Sequence, residues 1–246
     1  MESSRFLELI RTDSDRLLTV ASRGWKLPVP SCPGWVAADI VRHVGEVYEH
    51  KMLCMALGCE PEGDERTPSP ASDGDLAAWF VPLRDALLGE LAARGPAQPS
   101  YTWFPPDQSV GFWYRRMAHE TALHRYDAEL ALGETPAVDS SLAVDGVDEI
   151  LGFLTFDYID EPRHTGPVGR TATFACNGLD WAFTLRPGHL EPIPAGGATD
   201  ARIEGPAEDL WLYLWGRHSE DSTLVTRSGD PDVLSALWAR LRKETL

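Results

Sequence analysis

Two stretches of this sequence carry donor side chains at helical spacing. The first reads Arg115-Arg116-Met117-Ala118-His119-Glu120-Thr121-Ala122-Leu123-His124-Arg125-Tyr126-Asp127. On a helix, Glu120 and His124 lie about 40° apart and share a face. His119 and His124 point about 140° apart, so this is not the zincin H-E-x-x-H arrangement and the two do not easily share an ion. In the second stretch, His43, Glu46 and His50 fall within about 60° on one helical face. Bundles build metal sites from side chains on facing helices. Two histidines, one carboxylate and an open position make a catalytic zinc site. The candidate ligands are therefore Glu120 and His124 with either His43 or His50. Each group taken alone also describes an ordinary polar helix face.

The elements that must position these residues are mostly helical. Apolar residues at Phe6, Leu9, Ile10, Leu17, Leu18 and Val20 predict a first helix. The prolines 28, 30 and 33 break the chain, and Ser31-Cys32-Pro33-Gly34-Trp35 turns it into a second helix that ends at Gly58. A Pro/Gly/Asp-rich loop spans 60–74. Helices are predicted over 75–94, 110–132 and 142–158, with a proline-rich loop at 95–107. After about Pro162 the pattern changes. Thr171 to Cys176 is a β-prone run, and Trp181, Phe183 and Leu185 alternate with polar or small residues. Asn177-Gly178 between them is a hairpin signal. Short strands are expected at 201–203 and 223–226, and helices at 206–215 and 232–243. The expected architecture is a helical bundle over residues 1–160, followed by a small α+β domain over 161–246.

Composition narrows the partners. The chain has 246 residues, 43% hydrophobic and 24% charged, with a formal net charge of −16. Such an acidic chain is poorly suited to a nucleic-acid backbone or an anionic membrane surface. Small molecules remain. No stretch of 18 apolar residues predicts a membrane span. The N-terminus lacks the pattern of a signal peptide, so a cytoplasmic location is expected. The four cysteines, Cys32, Cys54, Cys59 and Cys176, form no C-x-x-C pair. None has the setting of a catalytic nucleophile. The tryptophans at 103, 113, 211 and 215 are candidates for an apolar pocket between the domains, though core packing explains most of the nine.

Three stretches together resemble the mycothiol-dependent maleylpyruvate isomerase family. They are Pro30-Ser31-Cys32-Pro33-Gly34-Trp35 with Asp39 and His43 following, the Arg115–Glu129 stretch, and Glu204 to Arg217 with its Trp211-Leu212-Tyr213-Leu214-Trp215-Gly216-Arg217 end. The resemblance covers nearly the whole chain. It implies a DinB-like four-helix bundle followed by a small sterol-carrier-like α+β domain. It also implies one divalent metal, usually zinc, held by His43, Glu120 and His124. His43 is favoured over His50 by its spacing after the Trp35 turn. His50 stays a weaker candidate ligand or outer-sphere group. Asp39, one turn before His43, is a candidate for orienting a ligand imidazole, or simply an acidic residue at a helix start. His119 reads as structural or as an outer-sphere group.

A soft thiolate suits the open position on zinc. The resemblance therefore implies a low-molecular-weight thiol, mycothiol or a relative, as nucleophile. It adds either to a maleylpyruvate-like double bond, for cis–trans isomerisation, or to an electrophile that keeps the sulfur. Both build negative charge on the substrate, and Arg217, then Arg125, are the candidate cations to answer it. Two other readings remain: a metal-dependent hydrolase or amidase of a thiol conjugate, and a non-catalytic small-molecule-binding protein. The expected partners are the thiol and a small substrate, for a monomer or homodimer.

Overall fold

A computed structural model of the chain describes residues 1–62, 67–134, 137–156 and 166–245. The chain divides into two compact units, Met1–Ala137 and Val138–Leu246. Among the described residues the first holds four α-helices, α1 (Ser3–Ala21), α2 (Ala37–Leu57), α3 (Leu76–Arg94) and α4 (Val110–Ala131). α4 packs on α1 and α2, and α2 also packs on α3. The core is built from Ile10, Leu17, Ile40, Val44, Tyr48, Phe80, Leu87, Trp113 and Met117, all essentially sealed from solvent. At ~1.5–3 kcal/mol per buried large apolar side chain, this core holds the helices in place. It thereby fixes where the polar residues of α2 and α4 point.

The second unit contains α5 (Ser140–Phe153), the strands β1 (Thr171–Cys176), β2 (Leu179–Leu185), β3 (Leu190–Ile193), β4 (Ala201–Glu204) and β5 (Thr226–Gly229), and the helices α6 (Ala207–Leu214) and α7 (Pro231–Thr245). The sheet order is β3-β2-β1-β4-β5. β1 pairs in parallel with β4, and the other pairs are antiparallel. The β1–β2 turn is made by Asn177 at φ 50 and Gly178 at φ 79, the two left-handed positions a tight hairpin needs. The architecture is the expected one, a four-helix unit followed by a small α+β unit.

Several boundaries differ from the sequence reading. The expected domain limit at residue 160 and the end of the fifth helix at Tyr158 lie outside the described residues, as does 63–66 of the first loop. α5, expected with the bundle, packs on α6 within the second unit. Its apolar face is matched to Trp211. A β-carbon at Gly146 would clash with the Trp211 indole nitrogen. Gly146→Val is therefore expected to destabilise the second unit by about 1–3 kcal/mol, read as a lower urea midpoint. The last strand forms at Thr226–Gly229 rather than 223–226. Its residues are largely exposed, and its place is set by backbone pairing of Glu204 with Thr226 through Ala201 with Gly229. Apolar pattern cannot reveal such an edge. β3 was missed for a related reason: it is an edge strand containing Pro192. Trp113 and Trp211 are both fully buried, each inside its own unit.

Candidate metal centre

His43 comes from the middle of α2, and Glu120 and His124 from successive turns of α4. The Nε2 atom of His43 lies 3.0 Å from Oε1 of Glu120. The Nε2 atom of His124 lies 3.3 Å from the same oxygen. The two imidazole centroids are 4.8 Å apart, edge to face. One ligand atom from each of the three residues falls within 4.8 Å of the other two. The side chains are 35%, 16% and 10% exposed for His43, Glu120 and His124, so His43 marks the open side of the cluster.

The supporting residues explain why the turn before α2 carries so many special residues. The Val29 amide donates to the Trp35 carbonyl at 2.9 Å, which closes the Ser31–Trp35 turn. The turn sets the Trp35 ring edge-on to His43, with centroids 5.2 Å apart, and near parallel to His124 at 6.4 Å. It also brings Ser31 Oγ to donate to Asp127 Oδ1 at 2.6 Å, with Cys32 Sγ 3.6 Å from Oδ2. Asp127 is completely buried. Its Oδ2 lies 2.9 Å from Nδ1 of His124, the carboxylate–histidine pairing that orients metal-bound imidazoles. Arg116 donates to the second Glu120 oxygen at 3.2 Å.

This surrounding shell was only partly legible. Asp39, a candidate for orienting an imidazole, instead accepts from the Val36 amide at 2.9 Å and pairs with Arg42. It serves the start of α2. Asp127 takes the orienting role, and its signal was available: it stands three residues after His124, on the same face of α4. His50 does not join the cluster. Its nitrogens face Lys51, Cys54 and Glu60. His119 is fully buried, with its ring 6.3 Å from Phe6. Arg125 is buried and engaged by Glu129 at 2.5 Å and Asp13 at 3.3 Å. Arg217, in the second unit, donates to the Trp215 carbonyl at 2.8 Å. Burial pushes the Cys54 thiol up to about 11, in keeping with a cysteine that is no nucleophile.

The cluster is strongly coupled electrostatically. Burial alone would raise the Glu120 carboxyl, but His124, His43 and Arg116 outweigh it and hold it well below the ordinary value. Burial would likewise discharge His124, but Glu120 and Asp127 outweigh it and lift the imidazole from 6.5 to about 9. A raised folded-state value stabilises the fold at low pH and loses that contribution as pH rises. Chelator-treated protein is therefore expected to keep the His124 contribution below about pH 6.5 and lose it through about pH 9. Urea unfolding across that range checks this, with His124→Gln flattening the profile.

The residues fit a divalent ion. Two imidazole nitrogens converge on one carboxylate oxygen, the second nitrogen of His124 is held by a buried carboxylate, and the donor set is that of catalytic zinc. Fold and site together define a class: helical-bundle proteins with a His/His/Glu cluster between two bundle helices, followed in the chain by a small mixed-sheet unit. Within that class, the family description of the mycothiol maleylpyruvate isomerase N-terminal domain matches residues 7–129, and that of the C-terminal domain of the same family matches residues 141–236. The chain belongs to the mycothiol-dependent maleylpyruvate isomerase family. Among solved structures it is similar to the crystal structure of the mycothiol-dependent maleylpyruvate isomerase, with TM-score 0.54 and 17% identity over 94% of this chain and 96% of that one. A mutant of that enzyme with one histidine changed to alanine aligns at TM-score 0.51 and 15% identity, over the same shares. At this identity the structural likeness speaks to the fold. No curated protein sequence matches. No described helix is long and apolar enough to cross a membrane.

Proposed function

We propose that this protein is a divalent-metal-dependent enzyme, zinc being the preferred ion, that uses a low-molecular-weight thiol of the mycothiol type as its nucleophile. The reaction is cis–trans isomerisation of a maleylpyruvate-like keto-diacid, or sulfur transfer to a small electrophile. The observation that carries the reading is the convergence of His43, Glu120 and His124 in a chain of this family. When bound, zinc supplies Lewis acidity that lowers a thiol pKa towards neutrality.

The chain's own residues do the rest. His43, Glu120 and His124 hold the ion. Asp127 keeps His124 Nδ1 occupied, so that Nε2 is the free donor. Trp35 lies against both imidazoles and restricts water on that side. In the isomerisation, the thiolate forms a C–S bond to the conjugated alkene, and the alkene electron pair moves onto the keto oxygen as an enolate. The carbon–carbon bond, now single, rotates. Return of the electron pair expels the thiolate and leaves the trans alkene, with no net gain or loss of atoms. Of the candidate cations, Arg125 is already neutralised by Glu129 and Asp13.

With its imidazole lifted to about 9 in the metal-free cluster, His124 would have to give up a proton to serve as a ligand at neutral pH. Binding is therefore expected to release about one proton per ion at pH 7, and affinity to fall by about tenfold per pH unit below about 9. Calorimetry in buffers of different ionisation enthalpy reads this directly. For the reaction itself, zinc-loaded protein is incubated with maleylpyruvate with and without mycothiol. Thiol-dependent appearance of fumarylpyruvate supports isomerisation, and a stable thioether supports transfer. Equal turnover without thiol would sink the reading.

A further inference from the structure

We infer that the C-terminal end of α2 carries a second, separate metal site, formed by His50, Cys54 and Glu60 and suited to a thiophilic divalent cation of the zinc type. Each of the three offers a donor atom, and these atoms lie within 4.8 Å of one another. His50 and Cys54 are four residues apart on α2 and so share a face. The His50 Nδ1 to Cys54 Sγ separation is 3.7 Å. Two ligands of a tetrahedral zinc, bound at ~2.0 and ~2.3 Å, stand about 3.5 Å apart. The helix therefore presents the pair almost at bonding separation. Glu60 completes the group because α2 stops at Gly58, whose φ of 72 turns the chain back at the helix end. Its Oε2 is held by the Tyr101 hydroxyl at 3.0 Å; its Oε1 lies 3.1 Å from the other ring nitrogen, Nε2, so Glu60 joins an ion held at Nδ1 by reaching across within the same 4.8 Å group rather than through that contact.

The donor chemistry also suits an ion. Lys51 Nζ lies 2.9 Å from the same Nδ1 atom that the Cys54 thiol approaches. A neutral imidazole has one lone pair at that nitrogen, so two donors compete for it. A cation that takes the thiolate and the imidazole together removes the competition. Lys51 then keeps its place over the Trp113 ring, 5.3 Å from the centroid. Thiolate, carboxylate and neutral imidazole together neutralise a doubly charged ion, with the thiol proton released to solvent. Sulfur in the donor set selects zinc-like ions over magnesium or calcium. The site shares no residue with the His43/Glu120/His124 cluster, and His50 lies seven residues beyond His43, about 10 Å along the α2 axis.

Cobalt(II) loading separates the two sites. A thiolate ligand gives an intense near-ultraviolet charge-transfer band, whereas the His/His/Glu cluster has no sulfur and gives none. The full-length chain is used without added thiol, carrying Cys59→Ser to remove an exposed competing thiol. The band is expected in this protein, unchanged by His124→Ala and by Cys32→Ser, and lost in Cys54→Ser. Glu60 is exposed and its substitution does not threaten the core, so Glu60→Gln should leave the fold intact and weaken cobalt binding at this site by about 10- to 100-fold. Absence of the band, its persistence in Cys54→Ser, an unchanged affinity in Glu60→Gln, or loss of the band in Cys32→Ser or His124→Ala would each overturn the inference. The last two would assign the sulfur to the first cluster.

Discussion

His124→Ala is expected to reduce bound zinc from about one ion at the His43/Glu120/His124 cluster to almost none, and to lower thiol-dependent turnover about a thousandfold. The magnitude follows from the several kcal/mol that a Lewis acid contributes to stabilising developing charge, at 1.36 kcal/mol per tenfold in rate. The reason for so large an effect lies in the geometry. Both Nε2 atoms address one Glu120 oxygen, so each of the three side chains supplies one donor of a minimal set. His43→Ala and Glu120→Gln should give the same loss. His43, on the open side, is the least demanding of the three on the fold. Elemental analysis beside steady-state assays checks this. A variant that retained wild-type turnover after losing its zinc would rule out metal dependence. One that lost activity with zinc content intact would move the ligand assignment elsewhere.

The second large effect is expected at a residue outside the His43/Glu120/His124 set. Asp127→Asn should weaken zinc binding by about 10- to 100-fold. Asp127 is sealed from solvent and shares its carboxylate between Ser31 and His124. The amide keeps the shape but loses the charge that helps hold His124 protonated in the metal-free protein and orients its Nε2 atom towards an ion. A chelator competition titration gives the affinity. The pH profile of unfolding gives an independent readout, because removing the Asp127 charge should narrow the window of His124 stabilisation from its alkaline end. A merely structural role would lower stability uniformly with pH and leave zinc affinity unchanged.

The residues that define the cluster could be read directly from the chain. Glu120 and His124 stand four apart on a strongly helical stretch, and helix geometry alone puts them on one face. The choice between His43 and His50 was not open to that argument, since both lie on the same face of α2. Family resemblance favours His43; the packing of α2 on α4 brings His43 level with Glu120 and carries His50 on to the helix end, beside Cys54 and Glu60.

What the sequence determined by itself was local. Helix spans, the Asn177-Gly178 hairpin and the one-face ligand pair all depend on contacts within a few residues, where periodicity and turn chemistry are decisive. Tertiary structure decided the rest. It made Asp127, not Asp39, the partner of His124, because the Ser31–Trp35 turn folds over α4 and seals Asp127 beneath it. It moved α5 to the second unit, because Gly146 offers Trp211 a surface without a side chain. It placed β5 by pairing exposed backbone with β4. In each case the deciding contact joins residues far apart in the chain, through burial or backbone hydrogen bonds that leave no periodic trace in composition.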